Sequence, residues 1–323
     1  MDQTRCVRIG DESGVGAARR EAASLARTVG LDEGSAGRLA IVVNELGKNA
    51  WRHARGGDVL LRALDRGVEI LVLDKGPGMA DVGRALGDGY STSGTAGTGL
   101  GAVQRQSQGF DIYSQPGAGT AVLARVLAEG QRLAPQTVGA VCIAHPGEEI
   151  AGDNWMATRM RGRAVVLVAD GLGHGPDAAE AADAALRVFT ENPDRPLSHQ
   201  LTNMHRALRT TRGAAVALVR IAPRRLEFCG VGNVSGASLG DGPSRLLLST
   251  PGVVGFTLPS APVRHLTLAD DDVVVLHTDG VGTGWRVPGR APDLLLLAAD
   301  LAHRHRNARD DAAMLALRAD GPR

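Results

Sequence analysis

The sequence has few aromatic residues and few cysteines. Phenylalanine, tryptophan and tyrosine together make up 3% of the 323 residues, so a hydrophobic core must be built from alanine, valine, leucine and isoleucine. The three cysteines, Cys6, Cys142 and Cys229, lie far apart and show no metal-ligand spacing. A sparse, odd set of cysteines argues against a disulfide framework and fits a reducing cytosol.

The chain also lacks an excess of either charge and lacks a long hydrophobic run. Its 36 Lys and Arg balance 35 Asp and Glu, which gives no reason to expect nucleic acid or an anionic membrane as the main partner. No apolar run approaches the ~20 residues of a membrane helix, and residues 1–5 do not resemble a signal peptide. These absences predict a soluble cytoplasmic protein. Residues 303–306, which alternate His and Arg, are interpreted as a solvated helix end.

Length and apolar content are sufficient for two folded domains. Apolar residues make up 43% of the chain, as in globular proteins, and 323 residues can form two separate cores. The polar stretch 128–136 is the predicted boundary. We therefore expect one domain over residues 1–130 and a second over residues 137–323.

Apolar spacing predicts an α+β chain in both domains. The first domain should contain two helices, the second capped by Asp32, then two strands, a long loop over residues 75–99, a helix and two more strands. The second should open with strands, continue with helices at 176–191 and 197–210, and return to strands. A helix near 292–305 and a last strand should close it.

Two polar side chains on the second helix have the spacing of a nucleotide site. Glu45 and Asn49 are four residues apart and therefore share one helix face. Glu45 has the chemistry of a general base, and Asn49 offers Mg²⁺ an amide oxygen. Taken alone, this pair is better explained as a solvated helix face.

The following motifs favour the nucleotide site. Asp74 ends an apolar strand, where a buried carboxylate can accept a hydrogen bond from the adenine amino group, and two glycines follow it. The Gly-rich loop that ends at residue 101 opens a helix, and its backbone N–H groups suit phosphate. The residues predicted to bind the cofactor are Asn49, Asp74, Gly76, Gly78, Gly97, Thr98, Gly99, Leu100 and Gly101.

The order of these motifs resembles the GHKL ATPase and kinase superfamily. Within it, residues 85–94 look like the anti-sigma-factor serine/threonine kinases of the RsbT stressosome type. The resemblance covers most of residues 10–127 and implies a two-layer Bergerat α/β sandwich that uses ATP and Mg²⁺. It adds Thr120 to the cofactor-binding residues, implies a structural role for His53, and implies a Ser or Thr of a STAS-domain protein as substrate.

Four aspartates in the second half flank predicted strands. Asp170 and Asp279 follow apolar strands, whereas Asp153 and Asp310 precede strands. Four such carboxylates can hold two divalent ions ~3.5–4 Å apart and activate a water. A turn explains any single Asp-Gly pair, but it does not explain four aspartates at strand ends.

The sequence around these aspartates resembles the PPM metal-dependent Ser/Thr phosphatases, and residues 230–233 and Asp311 add to the likeness. The most similar branch is the SpoIIE-like one, which includes the RsbX-type members. The resemblance covers about residues 137–319 and implies an α-β-β-α sandwich with two Mn²⁺ or Mg²⁺ ions. The implied metal ligands are Asp153, Asp170, the Gly171 carbonyl, Asp279 and Asp310. His174 is either a proton donor or a cap of the next helix. Ala151 and Ala313 depart from the family pattern.

The two halves together predict a bifunctional switch kinase and phosphatase. Its kinase site, with Glu45 as base, would phosphorylate STAS-domain regulators of stress or sigma-factor signalling. Its phosphatase site, with Asp170 at the metal centre, would remove the phosphate again. The alternative is an ATP-dependent partner-binding module, without kinase activity, fused to an active phosphatase. A scaffold with two inactive sites is a third hypothesis.

Overall fold

The computed structural model describes residues 4–87, 99–133, 136–148, 150–240, 242–285, 293–307 and 309–318. The chain divides into two compact units, Met1–Pro135 and Gln136–Arg323. Within the described ranges, every helix is too short or too polar to cross a membrane.

The N-terminal unit is one antiparallel sheet covered by helices. The sheet order is β1-β2-β3-β5-β4. The elements are β1 Arg5–Ile9, α1 Glu12–Thr28, α2 Glu33–Ala54, β2 Gly57–Leu64, β3 Gly67–Asp74, α3 Val82–Leu86, α4 Leu100–Gln106, β4 Gly109–Gln115 and β5 Gly119–Leu127.

Helices α1 and α2 pack on one face of this sheet. As predicted, α2 begins after Asp32, whose carboxylate accepts a hydrogen bond from the Ser35 N–H at 2.8 Å. Buried side chains of α2, such as Leu39 and Val43, share one core with Ile70 and Val72 of β3. The two-layer α/β sandwich expected from the sequence is confirmed.

Two elements of this unit were not predicted. Strand β1 pairs along the edge of the sheet with β2, and its charged, partly exposed residues hide its strand character. Helix α3 lies inside the predicted long loop, is capped by Asp81 and buries no side chain completely. Residues 88–98 of that loop lie outside the described residues.

The C-terminal unit contains two five-stranded sheets, ordered β13-β10-β9-β8-β7 and β12-β11-β14-β15-β6. Its elements follow the predicted order closely. They are β6 Val138–Ile143, β7 Asp153–Met160, β8 Arg163–Gly171, α5 Pro176–Glu191, α6 Leu197–Ala207, β9 Ala214–Ala222, β10 Arg225–Val231, β11 Ser235–Leu239, β12 Arg245–Leu247, β13 Arg264–Thr267, β14 Val273–His277, α7 Leu294–His305 and β15 Ala312–Arg318.

Strand β8 shows how the layers form. Val165 and Leu167 face the core shared with α5 and α6, whereas the alternate residues Val166 and Val168 face the core between the two sheets. On the second sheet, α7 packs against β6 so closely that a Cβ at Gly139 would lie 2.0 Å from the Leu295 nitrogen. The expected α-β-β-α order is therefore confirmed.

The interpretation of residues 303–306 as a solvated helix end is wrong. These four residues, at the C-terminal end of α7, are all partly buried. Arg304 pairs with Asp300 one turn earlier, and the Arg306 guanidinium donates a hydrogen bond to the Ala144 carbonyl. Arg306 thus ties the end of α7 to the segment after β6.

Candidate functional site

The second half of α2 carries the predicted acid-base pair. Glu45 and Asn49 are both partly exposed, while their neighbours Leu46 and Ala50 are buried in the core. The Asn44 side-chain amide donates a hydrogen bond to Glu45 Oε1 at 3.2 Å. The helix therefore presents the carboxylate and the amide away from the core.

Asp74 lies at the end of β3, close to this part of α2. A Cβ at Gly57 would lie 3.3 Å from the Cβ atoms of both Ala50 and Asp74. Burial raises the pKa of Asp74 above its usual value, while backbone hydrogen bonds from Gly76 and Thr120 and the charge of His53 oppose that rise. His53, expected to be structural, thus also acts electrostatically on this carboxylate.

The glycines after Asp74 allow two loops to meet. Gly78 has φ +65°, and a Cβ there would lie 2.0 Å from the Gln115 carbonyl oxygen. A Cβ at Gly119 would lie 2.0 Å from the Asp74 carbonyl oxygen, and the Gly117 N–H donates to the Pro77 carbonyl at 2.8 Å. The loop after β3 and the β4–β5 turn therefore pack backbone against backbone.

Thr120 and the start of α4 lie next to these loops. Thr120 pairs in register with Asp74, and its hydroxyl lies 2.9 Å from Ser114 Oγ. Gly99 precedes α4 without a side-chain cap, and Leu100 and Gly101 open the helix, which packs against α2. Gly97 and Thr98 lie outside the described residues.

In the C-terminal unit, Asp153 and Asp170 are direct cross-strand partners on β7 and β8. The Thr278 hydroxyl donates a hydrogen bond to Asp153 Oδ2 at 2.7 Å. The next residue, Asp279, accepts a hydrogen bond from the Asn233 amide at 2.6 Å. The sequence patterns around residues 153, 170, 233 and 279 are thus brought together by the fold.

Asp311 is also a member of this cluster, although the sequence analysis predicted only its neighbour Asp310 as a metal ligand. It is 3% exposed, and its Oδ1 accepts a hydrogen bond from the His145 N–H at 2.7 Å. Its Oδ2 is buried and has no hydrogen-bond partner among the described residues. A Cβ at Gly152 would lie 2.8 Å from that oxygen, so the glycine leaves space beside it. The acidic pair 310–311 was the signal available in the sequence.

Burial and neighbouring carboxylates raise the pKa of Asp153 and Asp170. Burial, followed by the charges of Asp153, Asp279, Asp310 and Asp311, raises the pKa of Asp170 to about 9. Burial also raises the pKa of Asp153 to about 7, against the lowering effect of the Thr278 hydrogen bond. Protons or cations must neutralise such a cluster.

The cluster fits divalent metal ions. Hard oxygen donors are the ligands that Mg²⁺ and Mn²⁺ prefer, and the buried Asp311 oxygen is one more available donor. Among the described side chains, no group of three or more acids, histidines or cysteines has the spacing of a formed metal site.

A histidine–glutamate pair lies beside the carboxylates. His174 Nδ1 is 2.8 Å from Glu148 Oε1, and the His174 ring stacks on the His145 ring at 4.4 Å. Helix α5 has no side-chain cap at Gly175, so the interpretation of His174 as its cap is wrong. Glu148 was not identified from the sequence because only the fold brings it to His174.

Comparisons with known proteins match parts of both units. The histidine kinase-like ATPase domain model matches residues 11–126, and the stage II sporulation protein E (SpoIIE) model matches residues 160–284. The serine/threonine-protein kinase RsbT of Bacillus subtilis (strain 168) is 34% identical over 128 residues, which are 38% of this chain and 96% of that protein. The chain belongs to the RsbT kinase family through its N-terminal unit.

Solved structures extend the likeness to the C-terminal unit. One, described as "The bacterial stressosome: a modular system that has been adapted to control secondary messenger signaling", has a TM-score of 0.53 and 29% identity over 56% of this chain and 98% of its own. RsbX in complex with magnesium has a TM-score of 0.50 and 21% identity over 55% of this chain and 93% of its own, a likeness of fold. The chain therefore joins a unit of the RsbT serine/threonine kinase family to a unit that matches the SpoIIE model and resembles RsbX in fold.

Proposed function

We propose that this chain is a bifunctional switch that both phosphorylates and dephosphorylates a Ser or Thr of a STAS-domain protein. Residues 1–130 would transfer phosphate and residues 137–323 would remove it. The observation that carries the proposal is the joining, in one chain, of an RsbT-type unit with Glu45 in place and a cluster of five aspartates.

In the kinase unit, Glu45 would accept the proton of the substrate hydroxyl, and the Asn49 amide oxygen would hold Mg²⁺. Asp74 would accept a hydrogen bond from the adenine amino group. The other residues proposed to hold ATP are Gly76, Gly78, Gly97, Thr98, Gly99, Leu100, Gly101 and Thr120. Placement of Asp74 beside the second half of α2 supports this arrangement.

In the phosphatase unit, Asp153, Asp170, Asp279, Asp310 and the Gly171 carbonyl would hold two Mn²⁺ or Mg²⁺ ions. Such ions supply positive charge to the phosphate and lower the pKa of a bound water. Thr278 would orient the Asp153 carboxylate and Asn233 that of Asp279, through the hydrogen bonds already described.

The STAS-domain substrate and the setting in stress signalling are supported by similarity. The N-terminal unit covers 96% of the RsbT kinase, and the structural relative at 29% identity is described as part of the stressosome. Joining both activities in one chain places them at high effective concentration around one partner. We infer that nucleotide state or partner docking prevents both from running at once.

The kinase activity is tested with labelled ATP and a purified STAS-domain protein. Glu45→Gln should reduce phosphate transfer at least a hundredfold if Glu45 is the base. Glu33→Gln, an exposed glutamate in the first turn of the same helix, should leave transfer unchanged. Equal transfer by wild type and Glu45→Gln would contradict the assignment and favour the partner-binding module without kinase activity.

The phosphatase activity is tested with Mn²⁺ and p-nitrophenyl phosphate. Asp170→Asn should abolish hydrolysis and weaken Mn²⁺ binding in calorimetry, because it removes a charge that both ions would share. Asp271→Asn changes an exposed aspartate outside the cluster and should do neither. Retained hydrolysis in Asp170→Asn would contradict the proposed metal centre.

A further inference from the structure

Two large apolar side chains are exposed beside the phosphatase centre. Phe256 is 63% exposed, although phenylalanine is rare in this chain, and Leu172 is 40% exposed. Leu172 lies directly after Gly171, in the loop that follows Asp170. Exposed large apolar residues near a candidate catalytic centre are typical of a surface that binds another molecule.

Both residues lie next to Gly213, Leu172 through its backbone and Phe256 through its ring. The Leu172 N–H donates a hydrogen bond to the Gly213 carbonyl at 3.0 Å. On the other side, a Cβ at Gly213 would lie 2.8 Å from Phe256 Cδ2, so the ring packs directly over the glycine. Gly213 also has φ +77°, a conformation that favours glycine.

The loop that carries Phe256 is held in place by hydrogen bonds. Val254 forms a β-bridge with Ala214, and the Gly255 N–H donates to His205 Nδ1 at 3.1 Å. The exposed position of the ring is therefore fixed by its backbone, which limits the conformational entropy lost when a partner covers it.

Arg212 adds a positive charge to this surface. Its Nη1 would lie 3.2 Å from a Cβ at Gly173, and its other terminal nitrogen pairs with Asp177 at 2.5 Å. About half of both side chains is exposed, so the ion pair contributes little stability. A phosphate group can replace Asp177 as the partner of the guanidinium and form a stronger, bidentate contact.

We propose that Leu172, Phe256 and Arg212 form the docking rim for the phosphorylated segment of the protein substrate. The apolar pair would bind hydrophobic side chains next to the phosphorylated Ser or Thr, and Arg212 would bind its phosphate. This inference rests on the proposed phosphatase function. The continuity of the rim with the Asp170 loop and its positive charge identify a phosphoprotein as the occupant.

The rim is tested by comparing a large and a small substrate. Leu172→Ser and Phe256→Ser should each raise KM for the phosphorylated STAS-domain protein about tenfold, since each loses the burial of one large apolar side chain. Hydrolysis of p-nitrophenyl phosphate, which has no neighbouring hydrophobic side chains for Leu172 and Phe256 to bind, should change less than about twofold. Leu246→Ser, at a leucine 65% exposed on β12, is the matched control and should leave both substrates unaffected.

A binding measurement separates docking from chemistry. In the Asp170→Asn background, Phe256→Ser should weaken binding of the phosphorylated STAS-domain protein by the same factor as it raises KM. If Phe256→Ser and Leu246→Ser behave alike on both substrates, the proposed docking rim is contradicted, whereas the proposed phosphatase function is not. If wild-type protein hydrolyses neither substrate, the proposed phosphatase function itself fails.

Discussion

At the scale of single residues, the raised pKa values of the phosphatase aspartates link metal binding to pH. The pKa of Asp170 rises from 3.8 to about 9 on folding, so the folded chain binds protons more tightly than the unfolded chain between these limits. The stability of the metal-free protein should therefore fall as pH rises from about 4 to about 9. Protons and Mn²⁺ compete for the same carboxylates.

This competition gives a direct measurement. Added Mn²⁺ should raise the unfolding temperature, followed by circular dichroism, more at pH 8 than at pH 5.5. The Asp170→Asn protein should lose most of that difference, because the residue with the largest rise in pKa is gone. Equal shifts at the two pH values in the wild-type protein would contradict the account of the cluster.

We propose that His174 donates a proton to the leaving group. Serine and threonine leave as alcohols and need that proton, whereas p-nitrophenolate leaves without it. Glu148 lies 2.8 Å from His174 and would orient its ring. His174→Gln should therefore slow phosphoprotein hydrolysis about a hundredfold and leave the hydrolysis of p-nitrophenyl phosphate unchanged. Glu148→Gln should act in the same direction but less strongly. A uniform loss on both substrates would point to a structural role.

At the scale of elements, the contact between the loop after β3 and the β4–β5 turn should control nucleotide binding. Gly119→Ala and Gly117→Ala both place alanine at positive φ, +89° and +78°. Only the Cβ at residue 119 meets another backbone, 2.0 Å from the Asp74 carbonyl oxygen; at residue 117 it meets nothing within 4 Å. Gly119→Ala should therefore destabilise the unit by about 2 kcal/mol more than Gly117→Ala.

The comparison is made by urea unfolding together with ATP titration. Gly119→Ala should also weaken ATP binding, because Asp74 is displaced, while Gly117→Ala should bind ATP as the wild type does. Identical midpoints and affinities for the two variants would show that the close approach has no role.

Most helices and strands could be predicted because their apolar residues recur at regular spacing or form continuous runs. Leu39, Val43 and Leu46 follow the helical period of α2, and the strands of the C-terminal unit are apolar runs between turns. Strand β1 and helix α3 were missed because their stability comes from neighbours: β1 from pairing with β2, and α3 from its place beside α4.

The site could be predicted only in part, for a related reason. Asp153 and Asp170 precede or end recognisable strands, so their meeting follows from sheet geometry. The Thr278–Asp153 hydrogen bond, the buried Asp311 oxygen and the Glu148–His174 pair join segments far apart in sequence. No local pattern predicts such contacts. The prediction that residues 303–306 are solvated was wrong because the charge of these residues does not reveal that α7 is buried.

At the scale of the whole molecule, the two opposing activities proposed for this chain would require control by the substrate that they share. A kinase and a phosphatase running together would hydrolyse ATP with no net phosphorylation. The proposed rim at Leu172 and Phe256 suggests one means of control, because a phosphorylated product has a phosphate for Arg212 to bind and an unphosphorylated substrate does not.

The central claim is that both activities act on one partner. The most direct test incubates γ-labelled ATP and the STAS-domain protein with the wild type, Asp170→Asn, Glu45→Gln or Glu33→Gln. We expect label to accumulate with Asp170→Asn, to disappear when wild-type protein and excess unlabelled ATP are then added, and never to form with Glu45→Gln. Label that forms with Asp170→Asn but persists after wild-type protein is added would contradict the account.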